Sequence, residues 1–385
     1  MAGIRARGSE TAVDDEDPIY GDVLEEILSH VPLIDLIPAL QVSKSWNQAV
    51  HASLRCRNPP KPWLILHTQS ARHPYAAVST HAYDPRSHVW MKISQPSSEN
   101  PSPLRSSNSN FLYMFPPSIN LTFSVDPLTL SWHKAGPATT CRLDPIVAKV
   151  GESVVVAGGA YDFEDDPLAV EIYDTKSREW RKTESMPEGL KGSSSSTWLS
   201  VAATDEKLFL MKKHSGIFHC FDLQSNSWSS LGNIRPDPRC FYSVIGRILE
   251  DDRLIVVGLT RDVDEKAEKV KIWEVVTCDH SFEYSFREIG EMPPAMLKKL
   301  KGESPIDICI GGSFVYIYKP DDVAELVVCE VVNGGACNWG SLSNPVATGD
   351  ARLSEKVTLT CVDVKLDELR RCLSRKIEYV NLDFR

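Results

Sequence analysis

Ten histidines and ten cysteines are the side chains of this chain that could act as bases, nucleophiles or metal ligands. The histidines are scattered, and no two cysteines form a Cys-x-x-Cys pair. Several cysteines lie in apolar, strand-like runs, so we interpret them as free thiols of an intracellular protein. The motifs of zinc peptidases, serine hydrolases and P-loop enzymes are missing from the sequence. We therefore expect no catalytic residues, no metal and no cofactor.

Four aspartates share one spacing to a tryptophan, and this is the strongest pattern in the chain. An aspartate at a strand end can accept hydrogen bonds from the turn that follows, and a tryptophan can fill the space between packed sheets. Because the pattern recurs along the chain, we interpret it as structural rather than catalytic. The pairs, each six positions apart, are Asp84 and Trp90, Asp126 and Trp132, Asp174 and Trp180, and Asp222 and Trp228.

The repeat extends to six copies when Glu274 and Glu330 take the place of aspartate in the last two. The acidic residues are 42 to 56 positions apart, and only strand-like runs lie between them, which is typical of β-propeller blades. A strand at 355–364 has no blade of its own, so we expect it to join the strand at Trp63 and close the ring. The sequence predicts a mainly β chain with a six-bladed propeller over 63–364. The tail at 365–385 is consistent with either a short helix or an added strand.

Charge and hydropathy restrict the classes of partner. Lys and Arg number 42 against 52 Asp and Glu, which gives a net charge of −10. An acidic chain is a poor general ligand for nucleic acid or anionic membranes, and no apolar run reaches the roughly 18 residues of a membrane span. Residues 1–17 are polar and acidic, which predicts disorder and no secretory leader. We expect a cytoplasmic or nuclear protein.

Residues 18–57 predict three short helices, joined by a linker at 58–62 to the propeller. Pro32 is expected to end the first helix, and Asp35 and Ser43 to cap the second and third. Three short helices make a small core, so apolar surface should remain exposed and favour a partner. The apolar positions of the first helix follow the helical i, i+3, i+4, i+7 spacing: Leu24, Ile27, Leu28 and Val31.

This segment, 18–57, resembles an F-box. Tyr20 and Ser43 replace the proline and cysteine that the family carries. The matching residues are Asp22, Val23-Leu24, Ile27-Leu28, Val31-Pro32, Asp35-Leu36 and Val42-Ser43-Lys44-Ser45-Trp46. The resemblance implies docking to a Skp-type adaptor and through it to a cullin–RING ligase. The implied contact residues are Leu24, Ile27, Leu28, Pro32, Leu36 and Val42, with Trp46 assigned either to this surface or to the core.

The propeller repeats resemble kelch repeats. The features are Gly158-Gly159 and Gly311-Gly312 after hydrophobic strands, the aromatic residue before the aspartate, and the tryptophan six positions later. An F-box followed by kelch repeats is similar to the plant F-box/kelch-repeat family. This implies the substrate-recognition subunit of an SCF-type E3 ubiquitin ligase, which delivers a target for proteasomal degradation and is not itself an enzyme. The family suggests a phenylpropanoid or flavonoid biosynthetic enzyme as target, of the phenylalanine ammonia-lyase or chalcone synthase type. The alternative is a propeller scaffold or binding protein outside the ubiquitin system.

Loops of variable length predict which face of the propeller binds the target. The connections between second and third strands of a blade vary in length, as do those between blades, and both sets emerge on one face. Binding sites favour loops on a rigid scaffold. The loops of this chain carry both acidic and basic residues, and such mixed charge suits a protein partner. For any one charge, the alternative is that it only keeps its loop solvated. The candidate target-binding residues are Arg72, Asp165, Arg235, Arg239, Asp262, Lys298 and Lys299.

Overall fold

The chain divides into two compact units, Met1–Pro60 and Lys61–Arg385, called here the N-terminal unit and the propeller. The acidic segment at 1–17, for which we predicted disorder, lies outside the residues that the computed structural model describes. The described residues are 21–70, 78–94, 102–107, 111–115, 120–128, 130–161, 164, 166–248, 253–261, 268–277, 284–332, 336–346, 355–366, 369–370 and 377–380.

The described part of the N-terminal unit contains three α-helices and a π-helical turn. They are α1 (Gly21–His30), α2 (Leu36–Ala39), α3 (Lys44–Ala52) and the π-turn at Ser53–Arg57. Ser43 caps α3, because its side chain accepts a hydrogen bond from the backbone N–H of Trp46 at 3.2 Å. Asp35, expected to cap α2, makes no such side-chain bond. The guanidinium of Arg57 reaches Glu26 at 2.8 Å and so ties the π-turn to α1.

The propeller consists of six sheets, confirming the predicted fold class. From the centre outwards, blade 1 comprises β24 (Glu355–Val362), β1 (Trp63–Ser70), β2 (Ser79–Asp84), β3 (Val89–Ile93) and β25 (Ile377–Tyr379). Blades 2 and 3 comprise β4 (Leu104–Ser106), β5 (Leu112–Met114), β6 (Asn120–Ser124), β7 (His133–Pro137), and β8 (Ile146–Val150), β9 (Ser153–Ala157), β10 (Val170–Asp174), β11 (Trp180–Thr183). Blade 4 comprises β12 (Leu199–Ala203), β13 (Lys207–Lys212), β14 (Ile217–Asp222) and β15 (Ser227–Asn233).

The last two blades have longer strands. Blade 5 comprises β16 (Cys240–Ile248), β17 (Arg253–Arg261), β18 (Glu268–Thr277) and β19 (Tyr284–Glu291). Blade 6 comprises β20 (Asp307–Gly311), β21 (Phe314–Lys319), β22 (Asp322–Val332) and β23 (Ala336–Ser343), and a short helix, α4 (Pro294–Leu297), precedes it. The buried side chains form clusters within and between blades rather than one central core, as expected when a propeller packs sheet against sheet.

The ring closes through blade 1, where β24 pairs with β1 along its whole length, from Trp63 opposite Val362 to Ser70 opposite Glu355. This is the closure predicted from the unassigned strand at 355–364. The tail adds β25, which pairs with β3 on the outside of the same blade. Blade 1 therefore combines strands from both ends of the propeller, and β1 has no free edge.

Each Asp–Trp repeat forms the same turn between the third and fourth strands. The aspartate side chain accepts a hydrogen bond of 2.8–3.1 Å from the backbone N–H two positions later, in Arg86, Leu128, Lys176 and Gln224. The residue four positions after the aspartate has a left-handed backbone, with φ between 49° and 61°: His88, Leu130, Arg178 and Asn226. The fixed spacing thus reflects one backbone conformation.

In blades 1, 3 and 4 the repeat tryptophan packs on the aromatic residue before the aspartate, and in blades 3 and 4 its indole also reaches the preceding blade. Ring centroids are 5.1–5.2 Å apart in the pairs Tyr83–Trp90, Tyr173–Trp180 and Phe221–Trp228. The indole N–H of Trp180 donates to the carbonyl oxygen of Gly136 in blade 2 at 2.7 Å, and that of Trp228 to Glu184 after blade 3 at 3.2 Å. The indoles of Trp180 and Trp228 therefore each join two blades.

Candidate interaction surfaces

Helix α1 of the N-terminal unit has two apolar stripes. Leu24 and Leu28, four residues apart, are each only 2% exposed and form part of the core. Val23 and Ile27, also four residues apart, are 63% and 46% exposed. Because residues at i and i+4 share a helix face, the second stripe is an apolar surface that the described residues of the unit leave exposed. Val42, which precedes α3, is 61% exposed as well.

The predicted adaptor-contact residues therefore differ in position. Ile27 and Val42 are exposed, and Pro32 and Trp46 are half-buried. Leu24, Leu28 and Leu36 are buried, since a three-helix unit needs its largest aliphatic side chains for its own core. They support the surface rather than form it. Val23 was not among the predicted contact residues, although it is exposed and lies four residues before Ile27.

The described parts of the variable loops lie on one face of the propeller, called here the loop face. Antiparallel pairing places the start of a first strand and the end of a second strand at the same edge of a blade. Hydrogen bonds join the two sets of loops: the N–H of Gly159 donates to Ser194 at 2.7 Å, and that of Lys213 to Trp198 at 3.0 Å. The Asp–Trp turns lie at the opposite edge, called the turn face.

Two glycines allow this close approach in blade 3. Gly158 and Gly159 have φ values of 59° and 61°, and a Cβ at Gly158 would lie 2.1 Å from the carbonyl oxygen of Ser194. Gly311-Gly312, the second double glycine, is not equivalent. It lies in the hairpin between β20 and β21, where a Cβ on Gly311 would lie 2.5 Å from Cβ of Cys361 on β24.

Large apolar side chains are exposed on the loop face. Leu143 is 61% exposed, Trp198 50% and Phe241 37%. Each lies shortly before, or at the start of, the first strand of its blade. Val276 and Val332, at the ends of third strands, are 38% and 39% exposed on the turn face. Aromatic side chains are enriched in protein interfaces, so the loop face has the composition expected of one.

The predicted charged residues of this face that the structure describes are all exposed. Arg239 pairs with Asp237 at 2.7 Å, and the guanidinium of Arg235 donates to the carbonyl oxygen of His214. Lys299 donates to the hydroxyl of Ser341 at 2.6 Å, and Lys298 is exposed beside it. Three predicted residues, Arg72, Asp165 and Asp262, lie outside the described part of the chain.

Two searches over the described residues bear on function. No group of three or more His, Cys, Asp or Glu side chains there could hold a metal ion. None of the helices in that part of the chain is long and apolar enough to cross a membrane. The described cysteines are all free, and five of them are buried.

Comparison with known families finds both units. Residues 21–58 match the F-box domain, and residues 141–187 match the Kelch motif. The chain is 38% identical over 382 residues to an F-box/kelch-repeat protein of Arabidopsis thaliana, across 96% of this chain and 95% of that protein.

Solved structures show weaker likeness. TolB from Acinetobacter baumannii aligns with a TM-score of 0.44 and 10% identity, over 82% of this chain and 70% of that one. AztD from Citrobacter koseri aligns with a TM-score of 0.37 and 10% identity, over 79% of this chain and 99% of that one. These TM-scores add nothing to the family assignment.

Proposed function

Because the chain belongs to the F-box/kelch-repeat family, we propose that it is the substrate-recognition subunit of an SCF-type ubiquitin ligase. The N-terminal unit docks the Skp-type adaptor, and the propeller holds the protein to be ubiquitinated. The chain contributes binding surfaces, while ubiquitin transfer belongs to the cullin–RING assembly. We place it in the cytoplasm or nucleus, where that machinery acts.

The second apolar stripe of α1 is the observation that carries the adaptor half of the proposal. Val23 and Ile27 expose side chains that a unit folding for itself would replace with polar ones. Burying an exposed valine or isoleucine in an interface gains roughly 1.5–3 kcal/mol. Val42 adds a third such side chain. This surface is small, apolar and rigidly presented by helices, as helix-docking partners require.

The loop face carries the target half of the proposal. Its exposed Trp198, Phe241 and Leu143 supply apolar contacts, and Arg235 and Arg239 supply surrounding charge. Arg261 stacks over the ring of Phe241 at 4.9 Å from its centroid, which holds that side chain in place. Preorganised aromatic residues with a charged periphery are what binding hot spots need.

The adaptor half is tested by binding between purified full-length protein and a Skp-type adaptor. We expect Val23→Asp combined with Val42→Asp to weaken binding at least about tenfold, while Lys182→Asp, an exposed charge reversal on the propeller, leaves it unchanged. Circular dichroism checks that the helices persist. A wild-type protein that fails to bind the adaptor would favour the alternative, a propeller scaffold outside the ubiquitin system.

The target class is a further part of the proposal. The resemblance to the plant family supports a phenylpropanoid or flavonoid biosynthetic enzyme, such as phenylalanine ammonia-lyase or chalcone synthase. Binding of each purified enzyme to the wild-type protein, and to a double variant with Trp198→Ala and Phe241→Ala, tests it. We expect one enzyme to bind and the variant to lose that binding. Binding of neither enzyme would remove this target class and leave the adaptor half intact.

A further inference from the structure

A cavity of about 360 Å³ opens at the centre of the loop face. The first strands of five blades begin around it, and they contribute Arg105, Ile146, Leu199, Asp307 and Lys356 to its wall. A cavity of this size is at the lower end of the range for ligand pockets. It holds one side chain or one small molecule.

One ion pair on the cavity wall is already satisfied. Arg105 forms an ion pair with Asp144. Asp144 also accepts hydrogen bonds from the hydroxyl of Thr197 at 2.8 Å and from its backbone N–H at 3.1 Å. Burial alone would raise the pKa of Asp144, but these bonds, one from Ser196 and the charge of Arg105 outweigh it and lower the pKa. Asp144 therefore has little remaining capacity to neutralise another cation.

A second carboxylate, Asp307, offers only a weak counter-charge. Burial raises its pKa, although the charge of Lys213 and hydrogen bonds from Tyr318 and the backbone of Ile308 act in the opposite direction. Lys213 itself donates to the carbonyl oxygen of Ser196 at 3.2 Å. Among the described residues that line the cavity, three cations face two carboxylates, and burial biases one of those carboxylates towards its neutral form.

Of the three cations, Lys356 is the one that neither carboxylate neutralises. Within the described part of the chain, its ammonium has no carboxylate at ion-pair distance. Burial and then the charge of Arg105 lower its pKa to about 8, and Asp144 offsets this only in part. A lysine held in a partly dry site beside an arginine is stabilised by any anion that enters.

We propose that this cavity binds the carboxylate of an aspartate or glutamate side chain presented by the target protein, with Lys356 and Arg105 as its partners. The proposal rests on the target half of the proposed function. The rim argues for a protein rather than a free acid: Leu143 directly precedes Asp144, and Trp198 directly follows Thr197, so exposed apolar side chains adjoin the charged wall. An acidic residue flanked by apolar ones would fill both parts, whereas a small acid would leave the rim exposed.

The test is selection of peptides from a random library on the full-length protein, followed by affinity measurements. We expect the selected peptides to share one Asp or Glu. Replacing that acidic residue by Asn or Gln should weaken binding at least about tenfold. The Lys356→Gln variant of the protein should weaken binding of the original peptide by a similar factor. The two changes together should cost little more than either alone, because they remove the same contact. Lys182→Gln, an exposed lysine on β11, is the matched control.

A pH series provides a second measurement that does not depend on folding of the Lys356→Gln variant. Wild-type affinity should fall as the pH rises through about 8, where unliganded Lys356 loses its charge. The other charged groups that the structure describes in the cavity wall are Arg105, Asp144, Lys213 and Asp307. They are unchanged in Lys356→Arg, so a flat profile for that variant would assign the fall to Lys356.

Several outcomes would overturn the proposal. Selected peptides without a shared acidic residue would do so, as would additive losses in the two-change experiment. If the protein bound succinate but selected no acidic peptides, the cavity would be a site for a free acid instead. None of these outcomes bears on adaptor binding, which is measured separately with the Skp-type protein.

Discussion

Arg142 and Glu171 form an ion pair 3.0 Å long in which both side chains are almost completely buried. The guanidinium also donates to the carbonyl oxygens of Gly158 at 2.6 Å and Ala169 at 3.0 Å. Glu171 accepts further hydrogen bonds from the N–H and hydroxyl of Thr139, each 2.7 Å. The pair therefore joins the chain before β8 to the second and third strands of blade 3, directly beneath the loop face.

Replacing only one partner of this pair should be costly. Arg142→Met leaves the Glu171 carboxylate buried without its main cation, and we expect the free energy of unfolding to fall by about 3–5 kcal/mol. Lys191→Met, which removes the exposed pair with Glu188, should cost less than about 1 kcal/mol. Denaturant unfolding of both variants measures the difference. Similar losses in the two would mean that burial does not govern the strength of the Arg142 pair.

The same pair predicts sensitivity to acid. Burial by itself would raise the pKa of Glu171, but hydrogen bonds from Thr139 and the bond and charge of Arg142 outweigh it and lower the pKa from 4.5. A depressed carboxylate stabilises the fold above its unfolded pKa and loses that contribution as the pH falls through its folded value. Unfolding free energy should therefore decline below about pH 4.5, and less steeply in Glu171→Gln. Parallel pH profiles for the two proteins would exclude Glu171 as the source.

Replacing Arg178, the residue with left-handed backbone in the blade 3 turn, should stabilise the protein. Arg178 is exposed with φ of 61°, a conformation that costs a residue with a Cβ about 1–2 kcal/mol. Arg178→Gly should raise the free energy of unfolding by about 0.5–1 kcal/mol, since glycine adopts this backbone freely but loses more chain entropy. Lys182→Gly, on the adjacent strand β11, should lower it. Thermal unfolding of both variants measures this, and we expect the melting temperature to rise for Arg178→Gly and to fall for Lys182→Gly. A lower melting temperature in both variants would contradict the prediction.

Truncation tests the ring closure. A chain ending before residue 355 lacks β24 and β25, so β1 loses its inner partner and blade 1 retains only β1, β2 and β3. We expect insoluble protein, because β1, whose first seven residues are buried in the intact chain, would present an unpaired edge to solvent. Ending the chain after residue 364 keeps the closing strand and should give soluble protein with a modestly lower melting temperature. Equal solubility of the two truncations would place the structural closure elsewhere.

The architecture was predictable because one local turn recurs. The Asp–Trp spacing predicts the hydrogen-bonded turn, and the six repeated acidic residues give the number of blades. Blade 2 shows the limit of this inference. Phe123 lies opposite His133, one position out of step with the tryptophan pairing in blades 1, 3 and 4. Leu130 is buried there, and Trp132 packs against its cluster.

The candidate surfaces were harder to predict, since a sequence pattern identifies an apolar helix but not which side of it the core will use. Leu28 and Ile27 are adjacent and similar, yet only Leu28 is buried. In blade 5, Glu274 occupies the repeat position, but its longer side chain pairs with Arg287 on the next strand, at 2.9 Å from Nε, rather than bonding a turn. The charged residues around Lys356 come from β4, β20 and the loops that carry Asp144 and Lys213, which are far apart in sequence, so no local motif could reveal the site.

Blade 1 also sets the order in which the chain can mature on the ribosome. The residues of β1 wait for partners 285 to 299 positions later, so the ring stays open until nearly the whole chain has been synthesised. The N-terminal unit, complete within the first 60 residues, has no such delay. A prematurely terminated chain would hold the helices proposed to bind the adaptor without a closed propeller, and on that proposal it would compete with the intact protein for a shared adaptor.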